Sequence, residues 1–131
     1  MAQGSNGTLA CHPAADGSDF TTGLREYFTY RDTGIRQATK GQFTAHVIKA
    51  IAGVQQDATW HKHDINFQMT FVLKGWIVFE FEDVGIVRMQ PGSSCCQPPN
   101  IHHRVLAYSD DLEMLEIVSP AEFATQLVSK K

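Results

Sequence analysis

The segment FQMTFVLKGWIVFEFED, residues 67–83, restricts the fold of this chain more than any other. It is two runs of β-formers parted at Lys74-Gly75, the break of a hairpin. In the second run Ile77, Phe79 and Phe81 alternate with Val78, Glu80 and Glu82. That period of two predicts a strand with one apolar face and one solvated face, the latter carrying Glu80 and Glu82. Shorter runs of the same character surround it. REYFTYRD (25–32) and QFTAHVIKAI (42–51) precede it, and GIVRMQ (85–90), SSCCQ (93–97), HRVLAY (103–108) and LEMLEIVS (112–119) follow. Pro91-Gly92, Pro98-Pro99-Asn100 and Ser109-Asp110-Asp111 punctuate the later ones. Strands recurring at roughly 8 to 12 residues, with no long helix between them, predict an all-β sandwich or barrel. Only the tail SPAEFATQLVSKK reads as helical, with Ser119 as N-cap, Pro120 at N1 and Glu122 at N3.

The chain has 131 residues, the size of one domain, and is long enough to bury a core without disulfides or a structural metal. Residues 1–20 hold almost no large apolar side chain before Phe20 and read as a mobile arm; residues 21–131 read as the single folded domain. Net charge is -3, and Lys and Arg are scattered apart from the terminal Lys130 and Lys131. That distribution argues against nucleic acid or an anionic membrane surface as the main partner. No window has the apolar length of a membrane helix, and the N-terminus lacks the features of a signal peptide, so a cytoplasmic location is expected. Of the 3 cysteines, Cys95 and Cys96 are adjacent and would face opposite sides of a strand. They are expected to be reduced, with one thiol at most inside the barrel as a small buried filler.

Histidine supplies the chemistry. His61 and His63 are two residues apart, so on a strand both rings point the same way and can share one ion. By itself such a pair is a weak motif. Here Gln68 follows His63 after four residues and Gly75 follows Gln68 after six. Downstream, Gly92, Pro98, Asn100 and His103 are spaced by five, one and two residues. HKHDINFQMTFVLKG and GSSCCQPPNIHHRVLA thereby resemble the two motifs of the cupin superfamily, Gly-x(5)-His-x-His-x(3,4)-Glu-x(6)-Gly and Gly-x(5)-Pro-x-Gly-x(2)-His-x(3)-Asn. The resemblance covers roughly residues 40 to 120. It implies a cupin-type double-stranded β-helix, a jelly-roll barrel, here with the short C-terminal helix added. By that mapping the metal ligands are His61, His63, Gln68 and His103. Alternation on the strand turns His102 away when His103 points inward.

The chain departs from the family pattern at four points. Seven residues separate Gly53 from His61, Asn100 replaces a Gly, Ala107 replaces the final Asn, and Gln68 replaces the Glu. Asn tolerates positive φ, so Asn100 can take the turn position. The amide at 68 matters more. Three imidazoles and a carboxylate leave a divalent site with one net positive charge; an amide leaves two. Hard cations then bind less tightly, and whatever binds is the stronger Lewis acid. Some cupins that act on unsaturated uronates carry Gln here, so the resemblance still implies a site.

The resemblance implies one divalent transition metal, Zn, Mn, Fe or Ni. The expected function is to polarise a small oxygenated substrate (a sugar acid, keto acid or enol) or a bound water, as an isomerase, lyase or hydrolase would. A metal-dependent dioxygenase and a non-catalytic small-molecule sensor are the alternatives. His46, Trp60, Phe71, His102 and Tyr108 are candidates for lining the pocket, and Phe67 and Met69 are weaker ones. No general base stands out. Asp64 should point outward, and of Glu113 and Glu116, in opposite phases of one strand, at most one can face inward. Small cupins commonly pair as homodimers, and residues 25–32 could join such an interface by covering a sheet edge.

Overall fold

A computed structural model describes residues 7–11, 13, 19–54 and 58–128. Most of the expected arm, with His12, and the last three residues lie outside the described residues. Among the described residues, eleven strands and one helical turn run in the order β1 (Thr21–Thr22), β2 (Phe28–Asp32), α1 (Ile35–Ala38), β3 (Thr44–Ala50), β4 (His61–His63), β5 (Phe67–Lys74), β6 (Ile77–Phe81), β7 (Gly85–Met89), β8 (Ser94–Cys96), β9 (His103–Tyr108), β10 (Glu113–Ser119) and β11 (Thr125–Leu127). They form two antiparallel sheets, one ordered β1-β2-β3-β10-β5-β8 and the other β11-β4-β9-β6-β7. This is the β-sandwich that the strand spacing predicts, and it is consistent with the jelly roll that the resemblance implies.

The alternation on residues 77–82 decides how the sheets face. Ile77, Phe79 and Phe81 are buried between them, with Phe28, Ile48, Val72, Met89, Val105, Leu112 and Met114. Burying such side chains stabilises by about 1.5–3 kcal/mol each, and this supplies most of the drive for the two sheets to close. On the other face Glu80 pairs with Arg104 at 2.7 Å, and Glu82 accepts a hydrogen bond from the His102 backbone N–H. The hairpin break needs its glycine. Gly75 has φ 72°, and a Cβ there would meet Ser109 Oγ and come within 2.7 Å of Asp111 Oδ1. Asn100 has φ 63°, the left-handed conformation that its replacement of a glycine requires.

One expectation fails. The tail does not form a helix: residues 125–127 are a strand, β11, paired antiparallel with β4 in the register Thr125↔His63, Gln126↔Lys62, Leu127↔His61. A helix of one short tail is marginal alone. The edge of β4 would otherwise present unpaired backbone groups, and pairing satisfies them. The thiols behave as expected for a strand. Cys96 is exposed and Cys95 packs against the core, neither in a disulfide.

Candidate metal centre

Two strands carry the three imidazoles to one place. His61 and His63 lie on the inner face of β4, and His103 on β9 stands directly opposite His61 in the pairing. The ring centroids are 4.2 Å apart for His61–His103, 4.9 Å for His61–His63 and 5.0 Å for His63–His103. One nitrogen from each ring can be chosen so that all three lie within 4.8 Å of one another, so the cluster could hold a metal ion. The outer nitrogens are already engaged. His61 Nδ1 contacts the Thr59 carbonyl at 2.9 Å and His103 Nδ1 the Ile101 carbonyl at 3.0 Å. A carbonyl only accepts, so both Nδ1 atoms carry the proton and both Nε2 atoms are the acceptor nitrogens, the kind that ligates an ion. His63 Nδ1 contacts Thr125 Oγ1 at 2.8 Å, which holds the third ring in place; a hydroxyl both donates and accepts, so this contact orients the ring without choosing its tautomer.

Gln68 reaches the cluster from the other sheet. Gln68, Thr70 and Val72 form the buried face of β5. The amide Nε2 of Gln68 donates to Glu116 Oε2 at 2.7 Å. Because that end must donate, Oε1 is turned away from Glu116. It has no hydrogen-bond partner although the residue is 3% exposed. An orphaned buried carbonyl oxygen costs roughly 1–3 kcal/mol unless something electropositive meets it. The residues present therefore fit a divalent ion: three imidazoles and one unpaired amide oxygen line the same cavity.

Glu116 is the inward carboxylate of β10, and Glu113 takes the opposite phase. Its other oxygen, Oε1, pairs with His46 Nε2 at 2.8 Å. His46 therefore bears on the site through Glu116, and it lines a second chamber of about 260 Å³ beside the first. The remaining candidate lining residues do not line either cavity. Phe71 is on the face of β5 opposite Gln68, as are Phe67 and Met69. Trp60 precedes inward-facing His61 and packs under the guanidinium of Arg104. His102 turns away as alternation requires, and Tyr108 stacks on Tyr27 at 5.8 Å in the core. Among the lining residues that the sequence did not single out are Arg25, Gln97 and Phe123. The Arg25 guanidinium donates to His61 Nε2.

Burial, with the nearby charges of His103, His61 and Arg25, lowers His63 from the usual value to about 3. Burial also lowers His103, helped by the charge of Arg25. Both stay neutral at physiological pH, the form that binds metal. In the metal-free protein a depressed imidazole contributes stability that is complete above the unfolded value near 6.5. It is lost as pH falls from there toward 3, because the unfolded chain takes up a proton that the folded chain resists. In EDTA, urea unfolding at pH 5 should show His63 alone costing about 2 kcal/mol relative to pH 7. An unchanged midpoint would contradict the burial of this ring.

A cupin domain model matches residues 50–118, more than half of the chain. The chain belongs to the cupin family. No curated protein matches the sequence of this cupin. Among solved structures it is similar to KdgF from Halomonas sp., with 21% identity over 82% of this chain and 92% of that one and a TM-score of 0.63. It is similar also to an uncharacterized conserved double-stranded β-helix protein from Klebsiella pneumoniae, with 15% identity over 92% of both chains and a TM-score of 0.57. With the Fe(II) form of HppE the identity is 17% over 87% of this chain and 61% of that one, at a TM-score of 0.65. At these identities the likeness is one of fold. No helix among the described residues is long and apolar enough to cross a membrane.

Proposed function

We propose that this cupin holds one divalent metal ion on His61, His63, His103 and Gln68 and uses it on a small oxygenated molecule. The observation that carries this reading is the unpaired, buried Gln68 Oε1 lining the same cavity as three imidazoles whose outer nitrogens are already bound. A divalent ion held there supplies Lewis acidity, which polarises a carbonyl or a water oxygen. The chain's own residues do the rest. The Thr59 and Ile101 carbonyls set the tautomers of His61 and His103, and Thr125 holds the His63 ring. Glu116 fixes which end of the Gln68 amide faces the cavity. Among the described residues Glu116 is also the one carboxylate lining the cavity, so it is the group placed to accept a proton from a bound molecule. With no carboxylate among the proposed ligands, polarisation of a substrate, as in an isomerase, lyase or hydrolase, is favoured over dioxygenase chemistry.

The test is metal analysis of protein purified without a polyhistidine tag, alongside the His61→Ala/His103→Ala variant. Close to one ion per chain is expected in the parent and almost none in the variant. Equal trace metal in both would sink the reading. Turnover of sugar acids and keto acids, measured with and without oxygen, then distinguishes polarising from oxygenase chemistry.

A further inference from the structure

The cavity holds more polar groups than an ion needs. Arg25 is half-buried at its wall, and the backbone N–H of Arg25 donates to the Tyr30 hydroxyl at 3.1 Å, which ties the residue to β2. Among the described residues its guanidinium forms no ion pair. The side-chain acceptor it meets is His61 Nε2, the lone pair that the ion would take. Once that lone pair is taken, the guanidinium has to find another acceptor. The ion and Arg25 together outweigh the one lining carboxylate, Glu116. Uncompensated positive charge in a buried site is costly, and an anion relieves it.

Gln97 gives an independent sign of a ligand. It follows β8, where its backbone N–H donates to the Gln68 carbonyl at 2.9 Å. It lines the cavity at 3% exposure, and its Oε1 has no hydrogen-bond partner. Gln68 Oε1 has a use in the reading above; Gln97 Oε1 has none. An unpaired acceptor in a polar cavity is matched by a hydroxyl donor.

We propose that Arg25 and Gln97 select a small hydroxycarboxylate, Arg25 pairing with the carboxylate and Gln97 Oε1 accepting from the hydroxyl. The inference rests on the metal-binding reading above and names the substrate class of that site. Size agrees with it. The inner cavity is about 50 Å³, room for an ion and a two- or three-carbon fragment. The outer chamber shares Leu24, Tyr30, Glu116 and Phe123 with it and can take the remainder of a longer acid.

The probes are glycolate, acetate and glycolamide, titrated calorimetrically into protein whose metal content has been measured first. Acetate lacks the hydroxyl and glycolamide lacks the charge. Glycolate should bind at least tenfold more tightly than either. Arg25→Gln should keep its metal and its melting temperature but bind glycolate and glycolamide equally. Gln97→Leu should keep the preference for charge and lose the preference of glycolate over acetate. Arg25→Lys should retain part of the charge preference, which a purely structural role for Arg25 would not produce. Equal binding of the three probes to metal-loaded parent would overturn the inference, and so would an Arg25→Gln variant that still prefers glycolate over glycolamide. Absence of metal from the parent is a separate result, and it defeats the metal reading itself.

Discussion

Gln68→Glu is expected to make the metal-free protein less stable as pH rises from 5 to 8, the reverse of the parent's trend. The cause is Glu116. Its Oε2 is 2.7 Å from Gln68 Nε2, so a carboxylate at 68 would place two carboxylates in contact. Such a pair holds one proton between them, and one of the two titrates far above the usual carboxylate range. A folded-state pKa above the unfolded one gives stability that is present at low pH and lost as pH rises through the folded value, by up to about 1.4 kcal/mol per unit. Metal binding must then expel the shared proton, so Mn(II) affinity should climb with pH by up to about tenfold per unit. Gln68→Glu/Glu116→Gln separates the two effects. The swap restores a donor–acceptor pair, keeps the total charge and moves the carboxylate beside the ion. It should bind Mn(II) more tightly than the parent and with little pH dependence. The coupling between the two substitutions in urea unfolding at pH 8 should be about 2–3 kcal/mol. If Gln68→Glu alone matched the swap in stability and in pH dependence, the contact with Glu116 would be of no consequence. The glutamine thus has a structural reason. The site's negative charge stands one residue further out, and an amide is the group that can touch both that charge and the cluster.

The second large effect is expected at a residue that touches no proposed ligand atom of the cavity. Thr125→Val keeps the shape of the side chain and removes the hydroxyl that meets His63 Nδ1 at 2.8 Å. His63 is then free to rotate, and Nδ1 is left buried without a partner. Losing such a support lowers metal affinity about 10- to 100-fold. Thr125→Ser should bind nearly as the parent does, because it keeps the oxygen. Competition against a chelator of known affinity reads both variants, and a Thr125→Val affinity within twofold of the parent would show that β11 does not orient the ring.

The parts of this molecule that could be read from the sequence are those set by local period. Alternation over residues 77–82 identified the buried face of β6, and the motif spacing brought His61, His63, His103 and Gln68 to one cavity. The same alternation, counted from Gln68, puts Thr70 and Val72 inward and so excludes Phe71; counted from His61 it excludes Trp60. Glu116 was beyond this method. On β10 the phase Met114, Glu116, Val118 and the phase Glu113, Leu115, Ile117 are equally apolar, so period alone cannot choose between them. Arg25 and Thr125 depend on pairings with residues 36 and 62 positions away. The tail failed for the same reason. Its N-terminal capping signals are real, and the open edge of β4 outweighs them.

The order of the larger sheet has a consequence for synthesis. The strands β3 and β5 are not neighbours; β10 inserts between them, pairing with both along nearly its whole length. A chain still emerging from the ribosome has made both flanking strands long before the one that joins them. Until residues 113–119 appear, two strand edges stand open toward each other. Glu116 arrives on that closing strand, between His46 on one side and Gln68 on the other. Truncation anywhere before it would remove both the seam of the sheet and the anchor of the amide. Exchange of that strand between two nascent copies would instead preserve both, each copy receiving its carboxylate from the other.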